Sequence, residues 1–94
     1  MIASIHGNII SIGETSLVVE VGGLGLQVFV PTGVCNGVQL NDSIFLHTYL
    51  VVRQDAMVLY GFEREDERQF FLLLLGVSGI GPRTAMAILS TLSL

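Results

Sequence analysis

Two apolar runs near the C-terminus are separated by Gly76-Val77-Ser78-Gly79-Ile80-Gly81-Pro82, and this segment restricts the chain more than any other. Gly79 and Gly81 flank one aliphatic residue, permit positive φ, and carry no Cβ to block a close approach of the backbone. Pro82 suits the first turn of a helix, where its missing N–H costs nothing. The pattern predicts a helix, a tight hairpin and a second helix from about Pro82 to Leu92. Ile80 turns inward to fix the two helices, with small Ala85 and Ala87 at their contact. The start of the second helix then leaves N–H groups free for an anion, and Arg83 adds a charge to the same place. An ordinary turn between packed helices uses similar glycines. The Pro-Arg pair and the small alanines favour a helix-hairpin-helix, a module that grips DNA phosphates without reading bases.

The first two-thirds of the chain has a different period. Residues 2–12 are rich in isoleucine and read as one long strand bent at Gly7, where a missing side chain permits a sharp coil. Gly13-Glu14 is a turn. From Thr15 to Val21, Leu17, Val19 and Val21 share one face; from Leu24 to Val30, Leu26, Val28 and Val30 do the same. Gly22-Gly23 lies between these two patterns at the spacing of a primed hairpin. Residues 31–41 form a connector with room for one helical turn, and strands follow over Ser43 to Val52 and Met57 to Phe62. Five short strands, the first bent, predict a closed barrel of the OB type. The fold class is therefore multi-part α and β: a five-stranded OB-type barrel followed by a truncated helix-hairpin-helix segment.

Glu63-Arg64-Glu65-Asp66-Glu67-Arg68 marks the boundary, giving a barrel domain over residues 1–63 and the first part of a helical domain over 64–94. The acids complement a helix N-terminus, and Arg64 with Glu67 and Glu65 with Arg68 stand at i,i+3 spacing. Residues 70–75 are apolar around the whole helix, which predicts burial on all sides, against the barrel and a neighbouring subunit. The last helix has no glycine cap and no polar tail, so the chain reads as the front part of a longer protein.

Charge excludes an easy answer. The chain has no lysine, four arginines and eight acids, for a net charge of −4, whereas DNA-binding domains are usually basic. Any grip on DNA must use backbone amides, helix dipoles and a few placed arginines, multiplied by self-association. No apolar run is long enough to span a bilayer and no secretory leader is evident, so a cytoplasmic setting is expected. Cys35 stands alone and reads as a small buried or loop thiol. His6 and His47 lie in apolar strands with no ligand spacing and read as structural. No nucleophile motif or phosphate-binding lysine loop occurs, so no catalytic residue, metal or cofactor is expected.

Several collinear motifs resemble one family. Met1-Ile2, Val19-Glu20-Val21-Gly22-Gly23 with Gly25, Val51-Val52-Arg53-Gln54-Asp55-Ala56, Leu59-Tyr60-Gly61-Phe62, and Gly79-Ile80-Gly81-Pro82 with Ala85-Met86-Ala87-Ile88-Leu89-Ser90 are similar to the N-terminal part of the RuvA family of bacterial Holliday-junction proteins. The resemblance implies a homotetramer assembled through the barrels that holds a four-way DNA junction open and square-planar, in recombination and DNA repair. It implies RuvB, an ATPase motor, as partner, docking on a C-terminal region absent from this chain; a second hairpin is absent too. It places phosphate contacts on Ser78, Gly79, Gly81 and Arg83, with Thr84 a lesser candidate. It places an acidic pin at the junction centre on Gln54 and Asp55, where Gln54 departs from the usual acid and halves the charge per subunit. Arg53 either contacts a phosphate beside the pin or neutralises Asp55. Two other readings compete. One is an oligomerisation module that no longer binds DNA. The other is an OB module for single strands, which would need exposed Phe29, Phe45, Tyr49 or Tyr60 as stacking surfaces.

Overall fold

A computed structural model describes residues 2–92; Met1, part of the opening motif, and the final two positions of the 64–94 segment lie outside the described residues. Five strands, β1 (Ser4–Ile12), β2 (Ser16–Val21), β3 (Leu24–Phe29), β4 (Ser43–Val52) and β5 (Met57–Phe62), close a barrel in the order β1-β2-β3-β5-β4. A short helix, α1 (Thr32–Gly37), separates β3 from β4, and two longer helices, α2 (Glu65–Leu75) and α3 (Pro82–Leu92), follow the barrel.

Closure depends on β1 serving two partners. Its first half pairs with β4, from Ser4–His47 to Asn8–Ser43, and its second half with β2, from Asn8–Glu20 to Ile12–Leu17. Gly7 lies at the handover, where any Cβ would collide with the backbone carbonyl of Glu20. Gly7, where the sequence predicts a bend, is the point of close backbone approach by β2. A bulge also falls between Ile9 and Ser11 and sharpens the local twist. Gly22 and Gly23 adopt φ of 56° and 90°, which a type I′ turn requires. Leu17, Val19, Val28 and Val30 are buried as the alternation predicts, and Val34 and Cys35 of α1 join the same core. The last seam, β3 with β5, is parallel and short: Val28 faces Leu59 and Phe29 faces Tyr60. Gly61 permits it, since a Cβ there would stand 2.6 Å from Val28 Cγ1.

A second core joins the helices to the barrel. Phe71 of α2 is fully buried, its ring centroid 5.0 Å from that of Phe62, 5.2 Å from Tyr60 and 6.3 Å from Tyr49. Ala85, Met86 and Leu89 of α3 complete this cluster, with Ile80 packed against it. The expectation that α2 is buried on every side is corrected here. One face meets the barrel and one meets α3, but Leu73 is 70% exposed and Phe70 is exposed with it. Among the described residues nothing covers that third face.

The start of α2 is fixed by its own charges. The Arg64 backbone N–H donates to the Glu67 carboxylate at 3.2 Å, half of a capping box. That occupies Glu67, so the Arg64 guanidinium pairs with Asp66 instead of the i,i+3 partner expected. Arg68 does pair with Glu65 at 3.4 Å, and its Nε also donates to the Thr48 carbonyl at 2.7 Å. Beyond the last β1–β4 register pair, Ser4–His47, the Thr48 N–H still donates to the Ala3 carbonyl at 2.8 Å, and Arg68 supplies a donor to the Thr48 carbonyl. Thr48 itself is buried, its hydroxyl donating to the Ile2 carbonyl at 2.8 Å. These contacts tie α2, and hence the hairpin beyond it, to one place on the barrel wall.

Candidate nucleic-acid interface

The hairpin after α2 is built from backbone bonds of short reach. Gly76 N–H donates to Leu73, Val77 to Leu74 and Ile80 to Val77, at 3.0–3.1 Å. Gly79 takes φ 87°, a conformation that side chains strain to adopt. Gly81 stays outside the left-handed region, so only one of the two glycines is needed for its φ. The Gly81 carbonyl accepts from Ala85 N–H at 3.0 Å, which makes Gly81 the N-cap and Pro82 the first residue of α3. A Cβ on Gly81 would meet nothing within 4 Å. Nothing inside the chain therefore demands glycine there. Ser78, Gly79, Gly81, Arg83 and Thr84, the candidate phosphate contacts, are all exposed and lie together on this turn. The amides of Arg83 and Thr84 belong to the first helical turn, whose donors have no intrahelical partner.

The hairpin does not stand apart from the barrel. A groove of about 930 Å³ runs between them, its lining including Phe29, Arg53, Tyr60, Gly81, Arg83 and Thr84. Arg53 comes from the end of β4 and Arg83 from α3, thirty positions apart in sequence. Among the described residues the other two arginines are committed, Arg64 to Asp66 and Arg68 to Glu65, whereas Arg53 and Arg83 form no ion pair. In a protein of net charge −4, both uncommitted cations line one groove. Burial pushes the Tyr60 phenol above its usual range, and the Arg53 and Arg83 guanidiniums pull against that rise. All three side chains line the same groove.

Gln54 and Asp55 sit at the exposed tip of the β4–β5 hairpin, closed by Arg53 N–H donating to the Ala56 carbonyl at 2.8 Å. Arg53 forms no ion pair with Asp55 among the described residues. Arg53 lines the groove between the barrel and the hairpin. Val52 and Met57, flanking the tip, are exposed.

The remaining polar and aromatic candidates serve local structure. His6 Nε2 lies 3.0 Å from Ser43 Oγ and His47 Nδ1 lies 3.4 Å from Glu65; no cluster able to hold a metal occurs among the described residues. Their helices include none long and apolar enough to cross a membrane. Of the four aromatics considered for base stacking, Tyr49 and Tyr60 pack on Phe71, and Phe29 packs on Tyr60 at 6.0 Å. Phe45 alone is largely exposed, edge-on to His47 at 5.0 Å. The sequence reading missed Tyr60 as part of the groove. In β5 it alternates with Leu59, which is buried in the barrel core, and packs instead on the cluster formed by α2 and α3, a return of the chain that carries no local signal.

A family model described as the RuvA N terminal domain matches residues 1–61. The chain belongs to the RuvA N-terminal domain family. Proteins named "Holliday junction branch migration complex subunit RuvA" extend the similarity through the hairpin. The one from Chloroflexus aurantiacus is 49% identical over 92 residues, covering 97% of this chain and 47% of its own length. That from Oceanobacillus iheyensis is 46% identical over 90 residues (96% and 45%), and that from Desulforudis audaxviator 44% over 93 (98% and 46%). The chain thus spans about half the length of the RuvA relatives it matches. Its closed five-stranded barrel is consistent with the OB-type architecture that the strand pattern predicts.

Proposed function

We propose that the chain is the junction-holding front part of a RuvA-type subunit: it binds four-way DNA by its phosphates and carries out no chemical step itself. Residues 1–63 act as the assembling barrel and 64–94 as the first piece of the DNA-gripping domain. In the hairpin, the amides at Gly79, Gly81, Arg83 and Thr84 donate to phosphate oxygens, with the Ser78 and Thr84 hydroxyls beside them. Arg83 and Arg53 supply charge from the two sides of the groove. Binding of this kind depends on backbone shape and is blind to base sequence. Four copies around a fourfold axis bring four Asp55 carboxylates to the junction centre, where they repel phosphates and keep the crossing strands apart. Gln54 adds polarity at the tip without charge. The uncovered face of α2, with Phe70 and Leu73, gives such an assembly apolar surface to bury. A RuvB-type ATPase then supplies the motor, docking outside the part of the relatives that this chain spans.

The single observation that carries this reading is the groove. An acidic protein commits its other cations to its own carboxylates and leaves two beside an open helix N-terminus. The test is a gel-shift of the chain against a four-way junction and a matched duplex over a salt series. Preference for the junction with affinity falling steeply in salt is the expected result. Absence of binding at low salt, with an assembled mass in solution, overturns it in favour of an oligomerisation module. That second reading draws on the same exposed α2 face and on the acidic balance. Tight binding to oligo-dT is not expected, because three of the four aromatics considered for base stacking are packed against one another or against α2.

A further inference from the structure

We propose that Tyr60 is a third ligand of the phosphate held between Arg53 and Arg83, donating a hydrogen bond from its phenol; this rests on the DNA-binding reading above. Tyr60 lines the groove together with both arginines. Its ring is held on two sides, by Phe29 at 6.0 Å and by Phe71 at 5.2 Å, so the hydroxyl is presented from a fixed platform. That hydroxyl is not among buried polar atoms lacking a partner, so, with no side-chain hydrogen bond of its own among the described residues, it opens into the groove. The arginines cannot accept from it: a guanidinium has five N–H donors and no acceptor. Arg53 and Arg83 bring only donors to the groove and the phenol O–H adds another, so the three side chains line it with an excess of donors. An anion oxygen completes such a set, and a backbone phosphate is the anion that the hairpin beside it is shaped to receive. A phenol is protonated at neutral pH in any case, and burial moves its pKa further up, so it is available as a donor.

A neutral donor leaves a signature that an arginine does not. Salt dependence counts the charges that displace counterions from DNA, about 0.9 in the log–log slope for each. A phenol contributes affinity and leaves the slope alone. The experiment measures binding of a fluorescent four-way junction over a salt series for the unaltered chain, Tyr60→Phe, Arg53→Gln and Arg83→Gln. Tyr60→Phe keeps the ring and its packing, and a matched thermal melt verifies this. The expected result is about tenfold weaker binding at every salt concentration with an unchanged slope, while each arginine variant lowers the slope by about 0.9. Equal affinity of Tyr60→Phe and the unaltered chain overturns the contact and leaves the groove intact as the DNA site. Weaker binding with a reduced slope also overturns it, because the ring then acts only by placing the arginines. Failure of the unaltered chain to bind the junction at low salt overturns the proposed function and this contact together.

Discussion

Replacing Gly81 with alanine separates stability from binding more cleanly than any other change in this chain. Two folding effects oppose each other. Alanine restricts the unfolded chain, which favours folding by about 0.4–1 kcal/mol where the native φ is ordinary, and Gly81 is outside the left-handed region. Alanine is also a poorer N-cap than glycine, by roughly 0.5–1 kcal/mol. The added methyl meets nothing within 4 Å, so no steric cost enters. The sum is near zero, and the melting temperature should stay within about 4 °C. Gly79→Ala is the contrast: at φ 87° it should cost about 1–2 kcal/mol and lower the melting temperature by roughly 5–15 °C. Binding should show a different order. In the proposed DNA-binding mode a methyl at Gly81 stands in the path of the phosphate, so Gly81→Ala should weaken four-way junction binding at least about tenfold. Differential scanning fluorimetry and anisotropy on the same preparations read both quantities. A Gly81→Ala chain that melts normally and binds normally refutes the placement of the phosphate against this turn.

Other expectations are as sharp. Arg68→Ala strips the Thr48 carbonyl of its donor and should destabilise the chain by about 1–3 kcal/mol in urea unfolding; Arg64→Ala, whose partner Asp66 is exposed, should change nothing, and equal effects would contradict the assigned role of Arg68. Gln54→Glu doubles the acid at the pin and should weaken junction binding at low salt more than at high salt; tighter binding would count against a pin at the junction centre. The Tyr60 proton is held more strongly in the folded chain than in the unfolded one. Its stabilising effect is therefore complete below about pH 10, the usual tyrosine value, and is lost as pH rises through the folded value. Tyr60→Phe should flatten the alkaline decline in stability, and an identical decline would show that another group titrates.

Much of the fold was legible because its signals are local. Gly22-Gly23 fixes a hairpin through φ alone, and Leu17, Val19, Val28 and Val30 declare their face by alternation. The hairpin was readable as glycines and a proline, although only Gly79 proved to need a positive φ. What the sequence hid depends on tertiary return of the chain. Arg68 looked like half of an i,i+3 pair, and its bond to a carbonyl on β4 has no local signal. The apolar run in α2 gave no hint of which face would stay uncovered, since all faces read alike. Arg53 looked like a neighbour of Asp55 because they are two apart in sequence; folding sends it toward Arg83 instead.

The parallel seam between β3 and β5 has a consequence for motion. Two residue pairs close it, against longer antiparallel ladders elsewhere in the barrel. Amides along it should exchange with solvent by a local opening well below the free energy of global unfolding. Phe29 and Tyr60 form one of those pairs and also line the groove. A ligand seated there spans the place where the barrel parts most easily, so occupancy and closure reinforce each other, and the barrel is at its most rigid when the groove is full.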